Sequence, residues 1–175
     1  PAGVYAQVYR GGAWSEPSAV ALSPYYRTVK PEAMHTSIAR QANGQLALVW
    51  DDPLLEQSVY AFSTDNGATW SARQPVVGRQ NQRVQRARVA AAGNGQLLLI
   101  WQDAASGGCG LTQQSSTDGG KTWGAAERVM TSLARCPATW RFNMDANGRL
   151  WLLGLPAGDA ETPVQVGVAA AWNGS

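Results

Sequence analysis

The chain has 175 residues, 45% hydrophobic and only 15% charged, with a net charge of +2 and a pI near 8.8. This composition supports a sizeable core, excludes a disordered tail and is too mildly basic to indicate nucleic acid. No apolar run reaches the roughly 18 residues of a membrane-spanning helix. Pro1-Ala2-Gly3-Val4 lacks the basic start and apolar stretch of a signal peptide, and the missing initiator Met is expected of a processed or excised segment.

Helical periodicity is absent along the chain. Its 19 glycines and 9 prolines punctuate short β-rich runs, which predicts an all-β fold, and 8 tryptophans predict a core built around indoles. The first predicted elements are Val4–Tyr9, a turn at Arg10–Ala13, and Trp14–Leu22, a hairpin. From residue 36 a repeat sets in. Asn43-Gly44-Gln45-Leu46 returns as Asn94-Gly95-Gln96-Leu97 and as Asn147-Gly148-Arg149-Leu150, at spacings of 51 and 53 residues. An apolar strand follows each Asn-Gly turn, a pair suited to tight hairpins because glycine tolerates positive φ.

Within one repeat the predicted strands are A (Thr36–Arg40), B (Gln45–Trp50), C (Ser58–Ser63) and D (Thr69 to about Val77). The next repeat follows as Arg86–Ala91, Gln96–Gln102, Gly110–Ser116 and Thr122–Val129. Thr139–Met144, Arg149–Leu153 and Gln165–Ala171 supply a further A, B and C. Residues 1–22 then form strands C and D of a partial unit, 36–77 and 86–129 are two full units, and 139–175 is a second partial unit. Three four-stranded units are fewer than the roughly 4–8 that close a propeller. The expectation is an incomplete ring or half of a six-bladed one, completed by further blades or a second copy, since open edges associate.

The turns between strands C and D carry the sequence Ser-Thr-Asp-x-Gly-x-Thr-Trp twice, at Ser63–Trp70 and Ser116–Trp123. Asp65 and Asp118 are short carboxylates able to accept neighbouring backbone N–H groups. Gly67 and Gly120 tolerate a left-handed conformation. Thr69 and Thr122 start the outer strand, and Trp70 and Trp123 can wedge between sheets. These aspartates are expected to be structural rather than catalytic.

The motif resembles the Asp-box repeats, also called bacterial neuraminidase repeats, of sialidases and many non-enzymatic propellers. The resemblance covers essentially the whole chain and implies a sialidase-like β-propeller with the boxes on the face opposite the ligand. It is specific for fold and weak for function. The ligand face then carries the B–C loops (Asp51–Gln57, Gln102–Gly110, Pro156–Pro163) and the D–A loops (Tyr25–His35, Gly78–Gln85, Thr131–Ala138). The resemblance also implies an arginine about ten residues before a turn glycine, but Met34, Gln85 and Ala138 stand there. Tyr26-Arg27-Thr28-Val29 echoes the arginine motif seven residues too early and lacks its Ile-Pro. Arg86 is one residue out of register, which turns a strand residue to the other face. No Tyr–Glu nucleophile pair can be assigned. Asp51 and Asp52, at the end of strand B, are the candidates for an acid, with Asp103 placed similarly; otherwise they solvate loops.

On the implied ligand face, Arg27, Lys30, Arg79, Arg83, Arg86 and Arg135 fall in or beside D–A loops, with His35 nearby. Glu32, Asp51, Asp52, Glu56, Asp103, Asp159 and Glu161 share that face. Arginine forks suit carboxylate or phosphate oxygens, and Tyr25, Tyr26 and Trp140 can stack on sugar rings. The binding candidates are Arg79, Arg83, Arg86, Arg27, Tyr26 and Trp140. A single histidine leaves a histidine-cluster metal site and a Ser-His-Asp triad unsupported, so no metal and no cofactor are expected. Cys109 and Cys136 fall in loops that the fold brings to one face in neighbouring blades. A disulfide there would stabilise by roughly 3 kcal/mol and imply an extracellular setting.

Three functions are compatible. The first is a non-catalytic extracellular or surface segment that binds a glycan or protein through the B–C/D–A face. The second is part of a sialidase-type glycoside hydrolase, and the third is an assembly unit pairing through open edges.

Overall fold

A computed structural model describes residues 1–30, 34–105, 108–133, 137–144 and 150–156. Strand β1 (Gly3–Ala6) pairs with β4 (Ser18–Leu22), and the short hairpin of β2 (Tyr9–Arg10) and β3 (Ala13–Trp14) lies between them in the chain. A 3₁₀ turn, η1 (Pro24–Arg27), leads into a four-stranded sheet of β5 (Thr36–Arg40), β6 (Leu46–Asp52), β7 (Gln57–Ser63) and β8 (Gln74–Pro75). After the 3₁₀ turn η2 (Arg79–Asn81) comes a second sheet of β9 (Arg88–Ala91), β10 (Leu97–Ala105), β11 (Gly108–Ser116) and β12 (Glu127–Leu133). Strands β13 (Pro137–Met144) and β14 (Leu150–Pro156) form a final pair. Every strand pairing is antiparallel and all but β1–β4 join chain neighbours, and no α-helix occurs among the described residues. The all-β class with four-stranded antiparallel blades, expected from the repeat, is what the chain adopts.

The central strands are apolar on both faces because the sheets stack face to face. In a strand successive side chains point to opposite sides. Leu48 and Trp50 on β6 therefore join Val59 and Ala61 against Val4, Val20 and Tyr26 of the N-terminal sheet. Ala47 and Val49, with Tyr60, pack against Val89, Leu97, Leu99 and Trp101 of the next sheet. Trp50 is fully buried, as are Leu98, Leu99 and Ile100. Polar bonds tie the layers together as well. Ser37 Oγ accepts from Val89 N at 3.1 Å, and Ser18 Oγ donates to Gly67 O at 2.7 Å.

The two acidic turns repeat one hydrogen-bond pattern. Ser63 Oγ donates to Asp65 Oδ1 at 2.8 Å and accepts from Gly67 N at 2.8 Å. Asp65 then receives Thr69 N at 2.9 Å and Thr69 Oγ1 at 2.6 Å. Ser116, Asp118, Gly120 and Thr122 do the same, with the threonine bonds at 2.9 and 2.6 Å. These bonds to the ionised form hold both carboxyls at about 2, the threonine hydroxyl contributing most. Gly67 and Gly120 have φ of 91°, where a side chain is strained. Trp70 and Trp123 pack, partly buried, at the two successive sheet interfaces.

Strand bounds differ from the expectation most in the two D strands and in the second B–C connection. In the first repeat strand D is only Gln74–Pro75, flanked by further bonds to the β7 backbone from Ser71 N to Phe62 O and from Val76 N to Ser58 O. In the second it is Glu127–Leu133 where Thr122–Val129 is expected. In the second repeat β10 and β11 run on until Ala105 pairs with Gly108. Most of the expected loop Gln102–Gly110 is thus strand, and Asp103 lies within β10.

Candidate functional site

Strand β7 runs from the B–C connection at Gln57 to the acidic turn at Ser63, so these lie at opposite ends of the sheet. At the Gln57 end a cavity of about 410 Å³ is lined by His35, Asp51, Glu56, Gln57, Gln85 and Arg86, among others. Asp51 lines it and is held from beneath by the buried Ser58. Asp51 Oδ1 accepts from Ser58 Oγ at 2.6 Å and from Arg86 N at 3.0 Å, while Ser58 Oγ accepts from Ala87 N at 3.0 Å. Asp51 therefore fastens the D–A connection of the next sheet to the end of β6. Arg86 is held with φ of 57°, a left-handed conformation that is uncommon and costly for a side-chain-bearing residue.

Positive charge gathers here. Burial, and then the guanidinium of Arg86, lower the pKa of His35, with Arg88 and Arg141 adding to that effect and Asp51 opposing it. Burial and then Arg141 lower Arg88 in the same way. Arg88 pairs with Ile100 and Arg141 with Leu153, equivalent register positions of successive sheets, matched by Ser37 opposite Val49 in the first. Arg88 ends the polar stretch from Arg79 to Arg88 that the sequence offers as its best binding candidate, whereas Arg141 is not among the sequence's candidates. Their signal is a count of six residues before each turn asparagine, which lands on Ser37, Arg88 and Arg141.

The three arginines of the 79–86 stretch are not brought together. Arg86 lines the cavity with His35. Arg83 lines the neighbouring cleft and pairs with Glu56 at 3.6 Å on the exposed surface, while Arg79 lines a third depression beside Gln114. Arg27 is exposed at the end of η1. Trp140 stands opposite Gly154 in the β13–β14 pair. Arg135 and Cys136 lie outside the described residues, and so does the Cys109–Cys136 bridge.

Tyr26 and Asp52 correct the expectation of open loop residues. Tyr26 is buried, donating to Asp52 Oδ2 at 2.9 Å and accepting from Trp50 Nε1 at 2.7 Å. Burial foremost, with the Asp52 carboxylate, pushes its hydroxyl up to about 12 against the pull of the Trp50 N–H. Asp52, 1% exposed, also meets Arg73 at 3.0 Å, and its Oδ1 accepts from Leu54 N and Leu55 N, both at 3.0 Å. The apolar interface captures the phenol ring, and its hydroxyl satisfies the buried acid. Tyr26 is thus filled into the core and not free to stack on a ligand. Among the described residues no group of three or more His, Cys, Asp or Glu is placed to hold a metal ion, and no helix is long and apolar enough to cross a membrane.

No family model matches the chain, and no curated protein matches it. Among solved structures it is similar to Zg3597, a family 117 glycoside hydrolase produced by the marine bacterium Zobellia galactanivorans. The two are 14% identical with a TM-score of 0.53, over 92% of this chain and 52% of that one. A protein of unknown function from Dyadobacter fermentans DSM 18053 is 20% identical with a TM-score of 0.56, over 86% and 43%. Hadza microbial sialidase Hz136 is 14% identical with a TM-score of 0.46, over 67% and 31%. The chain spans from about a third to about half of these structures. What it shares with the Zobellia and Dyadobacter proteins is the fold.

Proposed function

We propose that this chain is a non-catalytic segment of an extracellular or surface propeller that binds an anionic glycan at the Gln57 end of its sheets. The observation that carries this reading is a cavity of about 410 Å³ lined by Arg86 and His35, with Arg88 and Arg141 close enough to His35 to act on its pKa. Guanidinium forks match carboxylate, sulfate or phosphate oxygens; of the acids lining the cavity, Asp51 is engaged by Ser58 and the Arg86 N–H, and Glu56 pairs with Arg83. Asp52, the other candidate acid, is enclosed by Tyr26, Trp50 and Arg73. An acidic protein loop would present similar oxygens. Further blades or a second copy would complete the ring and stand as the other partner class.

Glycan-array binding tests the proposal. Arg86→Ala is expected to lower affinity for acidic glycans about tenfold or more. Unchanged binding, or a preference for neutral glycans alone in wild type, would discard it. One observation favours a second reading, part of a glycoside hydrolase: the fold similarity to the family 117 enzyme extends over only 52% of that protein, leaving a catalytic set to come from elsewhere in a longer chain. Turnover of a fluorogenic sialoside or other aryl glycoside by wild type would support it.

A further inference from the structure

The N-terminal hairpin is a shortened copy of the acidic turns. In the first full sheet Ser71 N donates to Phe62 O at 2.9 Å and Phe62 N to Ser71 Oγ at 3.1 Å, across the loop that holds Asp65. In the N-terminal sheet Ser15 N donates to Val8 O at 2.9 Å and Val8 N to Ser15 Oγ at 3.0 Å. The same pair of bonds closes both loops, around residues 63–70 in one and only 9–14 in the other, so Trp14 takes the place of Trp70. The short loop has none of the serine, aspartate and threonine that knit an acidic turn together. Its tryptophan also ends up elsewhere. Trp70 and Trp123 are partly buried at sheet interfaces, whereas Trp14 is 66% exposed.

Exposed as it is, Trp14 is held in place. Tyr9 stands opposite it in register, with ring centroids 5.3 Å apart and planes at 55°. A cleft of about 540 Å³ opens between this hairpin and the Asp65 turn, lined by Trp14, Val8, Pro17, Arg10, Glu16 and Asn66 among others. Asp65 also borders it, with its oxygens taken by Ser63 and Thr69. Arg10 and Glu16 are exposed, and among the described residues neither is in an ion pair. Glu16 follows Trp14 at the position where the repeats place Ala72 after Trp70 and Ala125 after Trp123.

We propose that this cleft, at the opposite end of the sheets from the His35–Arg86 cavity, binds a pyranose unit of a neutral glycan. The apolar ring face lies on Trp14, and the hydroxyls are shared between Arg10 and Glu16. A volume of this size is in the range of small-molecule sites. A guanidinium only donates and a carboxylate only accepts, so a ring whose adjacent hydroxyls do both satisfies the two side chains at once. Neutrality follows from the same pair, since one unpaired cation and one unpaired anion favour neither an acidic nor a basic sugar. A further propeller sheet laid on Trp14, in the way sheets cover Trp70 and Trp123, would instead bring an apolar face against Arg10 and Glu16 and desolvate charges that have no partner. The site shares no residue with the cationic cavity and stands independently of it.

The test is calorimetric titration of the chain with cellohexaose, laminarihexaose and mannohexaose, followed in parallel through the indole N–H resonance that Trp14→Phe removes. At least one oligosaccharide is expected to bind saturably and shift that resonance. Trp14→Ala should weaken binding about tenfold or more, and Glu16→Gln measurably less, with melting temperatures unchanged because both side chains are exposed. Arg86→Ala should leave this binding intact while lowering acidic-glycan binding, so the two sites fail separately. Absence of binding by all three oligosaccharides overturns the proposal, as does binding that survives Trp14→Ala or is unaffected by Glu16→Gln. Binding of decaproline but of no oligosaccharide would overturn it in favour of a peptide ligand. A sugar-blind dimer in sedimentation that Trp14→Glu dissociates would overturn it in favour of a second copy.

Discussion

Asp65 and Asp118 at one end of the sheets and Asp51, Asp52 and Asp103 at the other are carboxylates beside strand ends in the same repeat, held in opposite ways. The first two stand in water and are saturated within their own turn, by residues no more than four positions away. The others are drawn into the interfaces and bonded across the fold, Asp52 to Tyr26 at a separation of 26 residues and Asp51 to Arg86 at 35. Local saturation makes a turn that forms independently of its neighbours. Long-range saturation makes a joint whose geometry depends on packed sheets, and that is the end at which His35 and Arg86 line a common cavity.

The comparison breaks first at Asp52. Asp52→Ala leaves Arg73 and Tyr26 without their buried partner and is expected to cost about 3–5 kcal/mol in denaturant unfolding. A cost below about 1 kcal/mol would show that the joint is not built as described. Glycine substitutions at the turn end come next. Gly67→Ala meets a φ of 91° and places Cβ 3.2 Å from Leu46 and Val8, so about 2 kcal/mol is expected. In the N-terminal hairpin, Gly12→Ala meets a φ of 87° with nothing within 4 Å, and about 1 kcal/mol is expected. The reverse order in thermal melts would overturn the packing argument.

Acid sharpens the contrast further. The folded pKa of Asp65 and Asp118, about 2, lies below the ordinary aspartate value of about 3.9. Their contribution is therefore fully present above about pH 4 and is lost as pH falls through that interval towards 2. Asp65→Asn with Asp118→Asn should flatten the acid limb of a Tm-against-pH curve between those values; an unaltered limb would assign it to other carboxylates. The smallest stability effect is expected at Arg86. Glycine relieves the positive φ but adds freedom to the unfolded chain, so Arg86→Gly should change stability by no more than about 0.5 kcal/mol while removing the guanidinium. A loss well beyond that would make the Arg86 side chain structural.

The acidic turns were legible in the sequence because all their partners lie within one octapeptide, and the repeat placed most strands to within a few residues. Asp51 was recognisable as a strand-end acid, but its grip on the Arg86 N–H joins two repeats and carries no local signature. Arg88 falls in the arginine-rich stretch that the sequence offers for binding and Arg141 is legible through the same repeat count, whereas the fold disperses Arg79, Arg83 and Arg86. Tyr26 was misread because an aromatic beside an arginine in a loop looks exposed until the interface that receives it is in view.

By itself the sequence determined the all-β class, the repeat length and the internal chemistry of the two acidic turns, since these depend on residues close along the chain. Only the tertiary structure decided which loop aromatic became core and which aspartates became joints. Those outcomes rest on how neighbouring sheets fill the space between them. Tyr26 is buried at one interface and Val84, beside Trp101, at the next.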